Sequence, residues 1–121
     1  MAKRILVADD EEDVKIVVQL LLEAKGYEIV TAYDGLDAVE QAKTMLPDLI
    51  LLDIMMPLID GFEVCQRLKA DAQTESIPIV MLSASAQTES KQRAMEAGAI
   101  DYIVKPFEPA DLERTIASIL K

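Results

Sequence analysis

Acidic residues stand at two places where short apolar runs end. Asp9 and Asp10 follow the run 5–8, and Asp53 follows the run 49–52. A carboxylate at the end of a buried run is costly to desolvate unless a cation or hydrogen-bond donors meet it. An all-oxygen acidic site favours a hard cation such as Mg²⁺, which keeps several of its waters. The pattern therefore predicts a metal site, with Asp53 as a candidate nucleophile.

Two further polar groups follow apolar runs nearer the C-terminus. Ser83 ends the run 79–82, and Lys105 ends the run 102–104. A serine at the end of a strand is ordinarily turn chemistry, and a single lysine is ordinarily a surface charge. Acids, a metal, a hydroxyl and an ammonium group together, however, form a site for a phosphoryl group or a similar anion.

These groups can meet only if the apolar runs are neighbouring strands. The predicted strands are 5–8, 28–32, 49–52, 77–82 and 102–104. Apolar residues recur at helical spacing between and after them, at Val14, Val17, Val18, Leu21 and Leu22, at Leu36, Val39, Ala42 and Leu46, and at Leu112, Ile116, Ile119 and Leu120. Five strand–helix repeats predict a parallel sheet with helices on both faces. Ligands of such sheets bind in the crevice outside the carboxyl ends of the strands.

Residues that begin and end helices agree with this pattern. Gly26 and Gly98 follow helical segments, where glycine takes the left-handed conformation that ends a helix. Asp34 and Asp60 precede helical segments and are predicted N-caps. Pro109 suits a first helical turn.

Composition excludes several classes of function. The chain has 121 residues, no histidine and a net charge of −10. The length fits one compact domain, and the charge disfavours direct nucleic-acid binding, which needs clustered Lys and Arg. Without histidine, no Ser-His or Cys-His nucleophile pair can form. The single cysteine, Cys65, lies in a predicted helix and is interpreted as a packing residue.

Nothing in the sequence predicts a membrane segment. No stretch approaches the roughly 20 apolar residues of a membrane span. The apolar run after the basic N-terminus ends at Ala8, which is too short for a signal peptide. We therefore expect a soluble, cytoplasmic chain.

Four motifs, in this order and spacing, resemble those of the response-regulator receiver family. They read RILVADD at residues 4–10, LLDIMMP at 51–57 followed by DGFE at 60–63, PIVMLSA at 78–84, and DYIVKPF at 101–107. The resemblance covers essentially the whole chain, so residues 1–121 are expected to form one receiver domain. It implies an α/β fold of the flavodoxin-like, doubly wound (βα)5 type, with a five-stranded parallel sheet of order 2-1-3-4-5.

The resemblance implies a role for each acidic residue of the site. Asp53 would accept a phosphoryl group from the phosphohistidine of a sensor histidine kinase or a phosphotransfer protein. Asp10 and Asp53 would bind Mg²⁺, or Mn²⁺, directly. The backbone carbonyl of Met55 would be a further metal ligand, and Asp9 would support the metal through a water.

The resemblance also implies a conformational switch. Ser83 and Lys105 would contact phosphoryl oxygens, and the peptide between Lys105 and Pro106 is expected to be cis. Ser83 would move toward the phosphoryl group, and Tyr102 would rotate into the space left behind. The face formed by the fourth helix, fifth strand and fifth helix would then change, where a downstream protein target or a fused output domain docks. Such a protein is a switch rather than an enzyme, since it catalyses only its own phosphorylation and dephosphorylation.

Two places in the sequence bear on how this chain differs within the family. Leu58 and Ile59 follow the Met-Pro pair, where many members have smaller residues, often Gly or Asn first. Met55 and Ser85 occupy positions that often tune the lifetime of the phosphoryl group. We hypothesise that the apolar Met55 hinders the hydrolytic water and slows its loss.

Other functions on the same topology stay open at this point. The chain could be a receiver-fold module that docks partners without being phosphorylated, and phosphoryl uptake separates the two. A flavin protein is disfavoured because a Ser/Thr-rich phosphate loop is absent. A haloacid-dehalogenase-type phosphatase would have an acid two residues after the nucleophile, where Met55 stands. No P-loop motif is present.

Overall fold

The computed structural model describes residues 2–121, which form five strands and five helices in strict alternation. The strands are β1 (Arg4–Ala8), β2 (Glu28–Ala32), β3 (Leu49–Asp53), β4 (Ile79–Ser83) and β5 (Asp101–Val104). The helices are α1 (Glu12–Glu23), α2 (Gly35–Met45), α3 (Gly61–Lys69), α4 (Thr88–Ala97) and α5 (Pro109–Ile119). All strand pairs are parallel and the order is β2-β1-β3-β4-β5, which confirms the predicted doubly wound fold. No helix among these residues is long and apolar enough to span a bilayer.

The sheet separates two apolar clusters because successive strand residues point to opposite faces. Leu6, Ile50 and Leu52 pack on one face against side chains of α2, α3 and α4. Leu49 and Leu51 pack on the other face against α1 and α5. Every residue of β3 and β4 is buried, as predicted for central strands covered on both sides.

The predicted apolar stripe of α1 is wrong at one position. Val18 and Leu22 are buried, but Val17 is 47% exposed. Lys15 is only 6% exposed instead, because it lies three residues before Val18 and shares its face of the helix. Its aliphatic stem is covered while its Nζ lies 2.7 Å from Glu12 Oε1.

The buried side of α2 also differs from the prediction. Leu36 and Leu46 are exposed. Ala42 is fully buried as predicted, and Ala38, which the prediction leaves out, is fully buried as well. Leu46 lies beyond the helix as its left-handed C-cap, so it leaves the helical stripe. The side of α2 that faces the core is therefore lined by small residues. Leu112 and Ile116 of α5 are buried as predicted.

Most predicted helix ends are confirmed. Asp34 Oδ1 accepts a hydrogen bond from Asp37 N at 2.7 Å, and Asp60 Oδ1 accepts one from Glu63 N at 2.9 Å. Pro109 is the first residue of α5, and Gly98 is the left-handed C-cap of α4.

Gly26 and the start of β4 depart from the prediction. The C-cap of α1 is Ala24, and Gly26, at φ +93°, serves in the following turn. β4 begins at Ile79 rather than at residue 77. Pro78 has no N–H to give to a strand pairing, and Ile77 N donates to Thr74 O within a turn.

Leu58 has a left-handed backbone at φ +74°, and its side chain is 71% exposed. This conformation costs a non-glycine residue about 1–2 kcal/mol, and a glycine at this position would remove that cost. Glycine also increases the conformational entropy of the unfolded chain, which offsets part of the gain in stability. We expect Leu58→Gly to raise the free energy of unfolding by about 0.5–1 kcal/mol, as measured by urea denaturation. Leu36→Gly is the matched control, an exposed leucine within a helix, and should lower it by about 1 kcal/mol. A destabilised Leu58→Gly variant would contradict the strain.

Candidate functional site

The strand register brings the predicted site residues to one edge of the sheet. Ala8 of β1 pairs with Leu52 of β3, so Asp9 and Asp53 are adjacent in register. Ser83 pairs with Val104 in the neighbouring pair of strands, so Lys105 follows beside it. Asp9, Asp53, Ser83 and Lys105 thus stand at the carboxyl ends of the four adjacent strands β1, β3, β4 and β5, as the sequence predicts.

Three carboxylates converge at this edge. Asp9 is fully buried, Asp53 is 3% exposed, and Asp10 is exposed. One oxygen from each of the three lies within 4.8 Å of the others, close enough to hold a single metal ion. Asp9 Oδ1 also accepts a hydrogen bond from Glu11 N at 2.9 Å, and Asp53 Oδ1 accepts one from Met55 N at 3.3 Å.

Lys105 supplies positive charge to this cluster. Its Nζ lies 2.8 Å from Asp9 Oδ2, 3.1 Å from Glu11 Oε1 and 3.5 Å from Asp53 Oδ2. Burial opposes the charged form, but the hydrogen bond to Asp9 and the charges of Asp53 and Asp9 outweigh it and raise the pKa of Lys105 above its usual value. The ammonium group therefore stays protonated at neutral pH. The peptide between Lys105 and Pro106 is cis, as the resemblance implies.

Asp53 has the most perturbed carboxyl group of the site. Burial and then the charge of Asp9 raise its pKa from 3.8 to about 7, although Lys105 and the Met55 N–H act in the opposite direction. Two buried carboxylates with one ammonium between them leave an excess of negative charge. A divalent cation would remove that excess, and its preferred donors are carboxylate oxygens. Asp9, Asp10 and Asp53 therefore fit the implied Mg²⁺ site.

Ser83 and Tyr102 lie on β4 and β5, the two strands that follow β3 in the sheet. Ser83 is buried, and its Oγ accepts a hydrogen bond from Ser85 N at 3.1 Å. Tyr102 is half-buried on the edge strand β5. Its hydroxyl donates to the Ser85 backbone carbonyl at 2.8 Å and lies 2.8 Å from Ser90 Oγ of α4. Tyr102 thus connects β5 with Ser85, which lies between β4 and α4, two residues after Ser83.

The start of α3 packs tightly under Asp53. Gly61 N donates to Ile54 O at 2.8 Å. A Cβ added at Gly61 would lie 2.5 Å from the backbone oxygen of Asp53, closer than real Cβ contacts come. Only glycine fits there, so the DGFE motif holds the Asp53 backbone against the first turn of α3.

Cys65 takes no part in the site. It is fully buried in α3, and its Sγ donates to Ala97 O at 3.3 Å. Burial raises the pKa of the thiol to about 11, so the thiolate is scarce at neutral pH. The interpretation of Cys65 as a packing residue is confirmed.

Two contacts of the site were not predicted. Glu11 is one of five consecutive acids at residues 9–13, yet its carboxylate reaches Lys105, which is 94 residues away in the chain. Ser90 has no distinguishing pattern in the sequence, because it is a polar residue of a largely exposed helix. The consecutive acids after β1 were the only signal for Glu11, and they gave no partner.

The fold and site together define a class of protein: a doubly wound α/β domain with three converging carboxylates, an ammonium group and a hydroxyl at its carboxyl edge. Comparison with known proteins then identifies the family. The model of the response regulator receiver domain matches residues 5–117. The chain belongs to this family.

Known relatives and solved structures agree with membership of the receiver family. The alkaline phosphatase synthesis transcriptional regulatory protein PhoP of Bacillus subtilis is 44% identical over 121 residues, which is 100% of this chain and 50% of that protein. The chemotaxis response regulator CheY4 of Vibrio cholerae has a TM-score of 0.93 and 33% identity, with 98% of this chain and 99% of that chain covered. The chain thus spans about half the length of the transcriptional regulator that it matches.

One solved structure bears on the metal. The receiver domain of the sensor histidine kinase PA1611 of Pseudomonas aeruginosa has a TM-score of 0.91 and 30% identity, with full coverage of both chains. Its structure contains a magnesium ion coordinated in the active-site cleft. The present chain has three converging carboxylates at the carboxyl edge of its sheet.

Proposed function

We propose that this receiver domain accepts a phosphoryl group on Asp53 from the phosphohistidine of a sensor histidine kinase or a phosphotransfer protein, and that the phosphorylated form is the signal. The observation that carries the proposal is the surroundings of Asp53. Its carboxylate is buried between Asp9 and Lys105 and has a raised pKa. Strongly perturbed groups of this kind, with a specific charge partner, are typical of functional sites.

The proposed transfer is a displacement at phosphorus. An Asp53 oxygen forms the new P–O bond while the P–N bond of the phosphohistidine breaks. The electron pair of the broken bond goes to the imidazole nitrogen, which takes a proton. Lys105 Nζ and Ser83 Oγ donate hydrogen bonds to the oxygens of the transferred group and stabilise its charge.

Asp10, Asp53 and the Met55 backbone carbonyl are the proposed protein ligands of Mg²⁺ or Mn²⁺, with Asp9 supporting the ion through a water. A bound divalent cation neutralises the acidic cluster and offsets the repulsion between an attacking carboxylate and an anionic donor. Burial of Asp9 and Asp53 keeps this charge compensation out of bulk water, where it would be weaker.

The proposed output is a change at the face formed by α4, β5 and α5. Movement of Ser83 toward a phosphoryl group would break its hydrogen bond with Ser85 N, and the Tyr102 hydroxyl is bonded to the same Ser85. Tyr102 therefore links events at Ser83 to that face. Its partner would be a downstream protein or a fused output domain. The B. subtilis relative is a transcriptional regulator, and this chain covers 50% of it, which supports a fused output domain as the partner.

On this proposal the chain is a cytoplasmic switch that catalyses only its own phosphorylation and dephosphorylation. Its own surface would bind neither nucleic acid nor membrane, because its net charge of −10 repels phosphate groups. Binding of DNA would belong to an output domain.

The experiment that tests the proposal is intact-protein mass spectrometry after incubation with acetyl phosphate, with and without Mg²⁺. We expect one phosphoryl adduct that requires Mg²⁺ and is absent in Asp53→Asn. The matched control is Asp13→Asn, an exposed acid of the same acidic run, which should retain the adduct. Absence of an adduct on the wild type would favour the rival function, a receiver-fold module that docks partners without phosphorylation.

Met55 is expected to lengthen the life of the phosphoryl group. Its side chain is exposed beside Asp53 and lines a cavity of about 720 Å³ together with Ser83. An apolar group there offers no hydrogen bond to a hydrolytic water. We expect Met55→Asn to speed loss of the phosphoryl group about threefold to tenfold, a barrier change of roughly 1 kcal/mol, followed by mass spectrometry after removal of the donor. A fast wild-type decay that is unchanged in Met55→Asn would disprove this.

A further inference from the structure

Glu11 joins two groups of the site. Its backbone N–H donates to Asp9 Oδ1 at 2.9 Å, and its side-chain Oε1 lies 3.1 Å from Lys105 Nζ. Glu11 is the residue before α1 and has an extended backbone, but its side chain makes no capping hydrogen bond to the helix. The carboxylate is thus directed to Lys105 rather than to the N-terminus of α1, where acids are otherwise stabilised.

We infer that Glu11 is a positioning residue that competes with the phosphoryl group on Asp53 for the ammonium group of Lys105. This inference rests on the proposed function. A lysine ammonium has three N–H donors, and here its nitrogen lies within 3.5 Å of carboxylate oxygens of Asp9, Glu11 and Asp53. Its two hydrogen bonds go to Asp9 and Glu11, at 2.8 and 3.1 Å, whereas Asp53 Oδ2 lies 3.5 Å away. To approach phosphoryl oxygens on Asp53, the nitrogen must draw away from one of these two partners.

The exposure of the partners decides which one is released. The Asp9 side chain is fully buried, whereas the Glu11 side chain is 60% exposed. A buried carboxylate that loses its cation is left unsolvated, at a high cost. An exposed carboxylate is taken up by water, and exposed ion pairs contribute little stability. Glu11 is therefore the partner that Lys105 exchanges for the phosphoryl group.

Competition of this kind restrains phosphorylation. Before transfer, Glu11 holds the ammonium group on the α1 side of the cluster. It also adds a negative charge close to where an anionic phosphodonor must arrive. Removing the Glu11 carboxylate should therefore speed phosphoryl uptake, the opposite of what removal of a residue that assists transfer would do.

The test compares initial rates of phosphoryl uptake from acetyl phosphate at saturating Mg²⁺. The variants are Glu11→Gln, Glu11→Asp and the control Glu12→Gln, which removes an exposed neighbouring charge that pairs with Lys15 instead. Aspartate keeps the charge but is one methylene shorter, so it loses contact with Lys105. We expect uptake to rise about threefold to tenfold in both Glu11 variants, and to stay within about twofold of wild type in Glu12→Gln.

Two results would overturn the inference. A rise in Glu11→Gln with wild-type behaviour in Glu11→Asp would show an effect of charge alone, without the ion pair. Unchanged or slower uptake in both Glu11 variants would exclude competition.

A second measurement separates this inference from the proposed function. The rate at which N-hydroxysuccinimidyl acetate acetylates Lys105, relative to the exposed Lys3, can be followed by peptide mass spectrometry without any phosphodonor. We expect it to rise about twofold or more in both Glu11 variants, because a lost ion pair frees the amine. Unchanged labelling would disprove the pairing and the inference with it. Raised labelling in a protein whose wild type takes up no phosphoryl group would refute the proposed function and leave the pairing intact.

Discussion

Lys105→Met is expected to lower the initial rate of phosphoryl uptake from acetyl phosphate about 100-fold. Removing one preorganised donor from a developing anion typically costs a factor of this size or larger. Lys105 lies between Asp9 and Asp53, with its side chain 11% exposed, so a water cannot readily take its place. Methionine keeps the length and apolar stem of the side chain and removes only the ammonium group. The rate is measured by intact-protein mass spectrometry at saturating Mg²⁺.

Lys43→Met is the matched control for this prediction. Lys43 Nζ lies 3.4 Å from Asp71 Oδ2 on the surface, and its side chain is 47% exposed. Its removal should leave the uptake rate within about twofold of wild type, because exposed charges are screened over about 10 Å at 0.1 M salt. Uptake by a folded Lys105→Met protein at the wild-type rate would show that Lys105 does not contact the transferred group.

Without a divalent cation, the protein is expected to lose stability as the pH rises from 5 to 8. Burial and the charge of Asp9 raise the folded-state pKa of Asp53 to about 7, above its ordinary value of 3.8. The protonated carboxyl thus favours folding below about pH 4, and this contribution is lost as the pH rises through about 7. The raised pKa of Lys105 affects stability only at pH values above this range, so it does not change how stability depends on pH between 5 and 8. We expect a loss on the order of 2 kcal/mol in the free energy of unfolding.

Urea denaturation in EDTA measures this loss, and Asp53→Asn and Mg²⁺ supply the comparisons. The Asp53→Asn variant should lack most of the loss, while Asp111→Asn, an exposed acid of α5, should keep it. Mg²⁺ at 100 times its dissociation constant should restore about 2.7 kcal/mol at pH 8. Its effect should be smaller at pH 5, where a proton occupies Asp53. Equal slopes for wild type and Asp53→Asn would contradict the raised pKa.

The sequence predicts the fold and the central site residues for a physical reason. Apolar runs of three or four residues that alternate with helical segments are buried as strands of a shared parallel sheet, and their carboxyl ends then meet at one edge. Asp9, Asp53, Ser83 and Lys105 each follow such a run, so their approach depends on register alone. The motifs of the receiver family then add the strand order, which the runs do not determine.

What the sequence did not predict depends on individual side-chain directions. Helical spacing does not fix the angle at which a helix meets the sheet, so the sequence predicts Val17 in the core, whereas the structure buries Lys15 instead. The backbone conformation of a loop is likewise not determined by the sequence pattern. The left-handed conformation of Leu58 could not be predicted, because glycine, and not leucine, is the usual residue in that conformation. The contact of Glu11 with Lys105 joins a helix start to a distant strand end. A contact between residues so far apart in the chain is seen only in the three-dimensional structure.

Chemical location of the phosphoryl group tests the central claim most directly. Borohydride reduces an acyl phosphate on aspartate to homoserine, a stable mark that peptide mass spectrometry can place. After treatment with acetyl phosphate and Mg²⁺, we expect homoserine at position 53 and at no other acidic position, and none when Mg²⁺ is withheld. Homoserine at position 9 or 10 instead, or unchanged aspartate at position 53 in a protein that carries a phosphoryl adduct, would contradict the assignment of Asp53 as the phosphoryl acceptor.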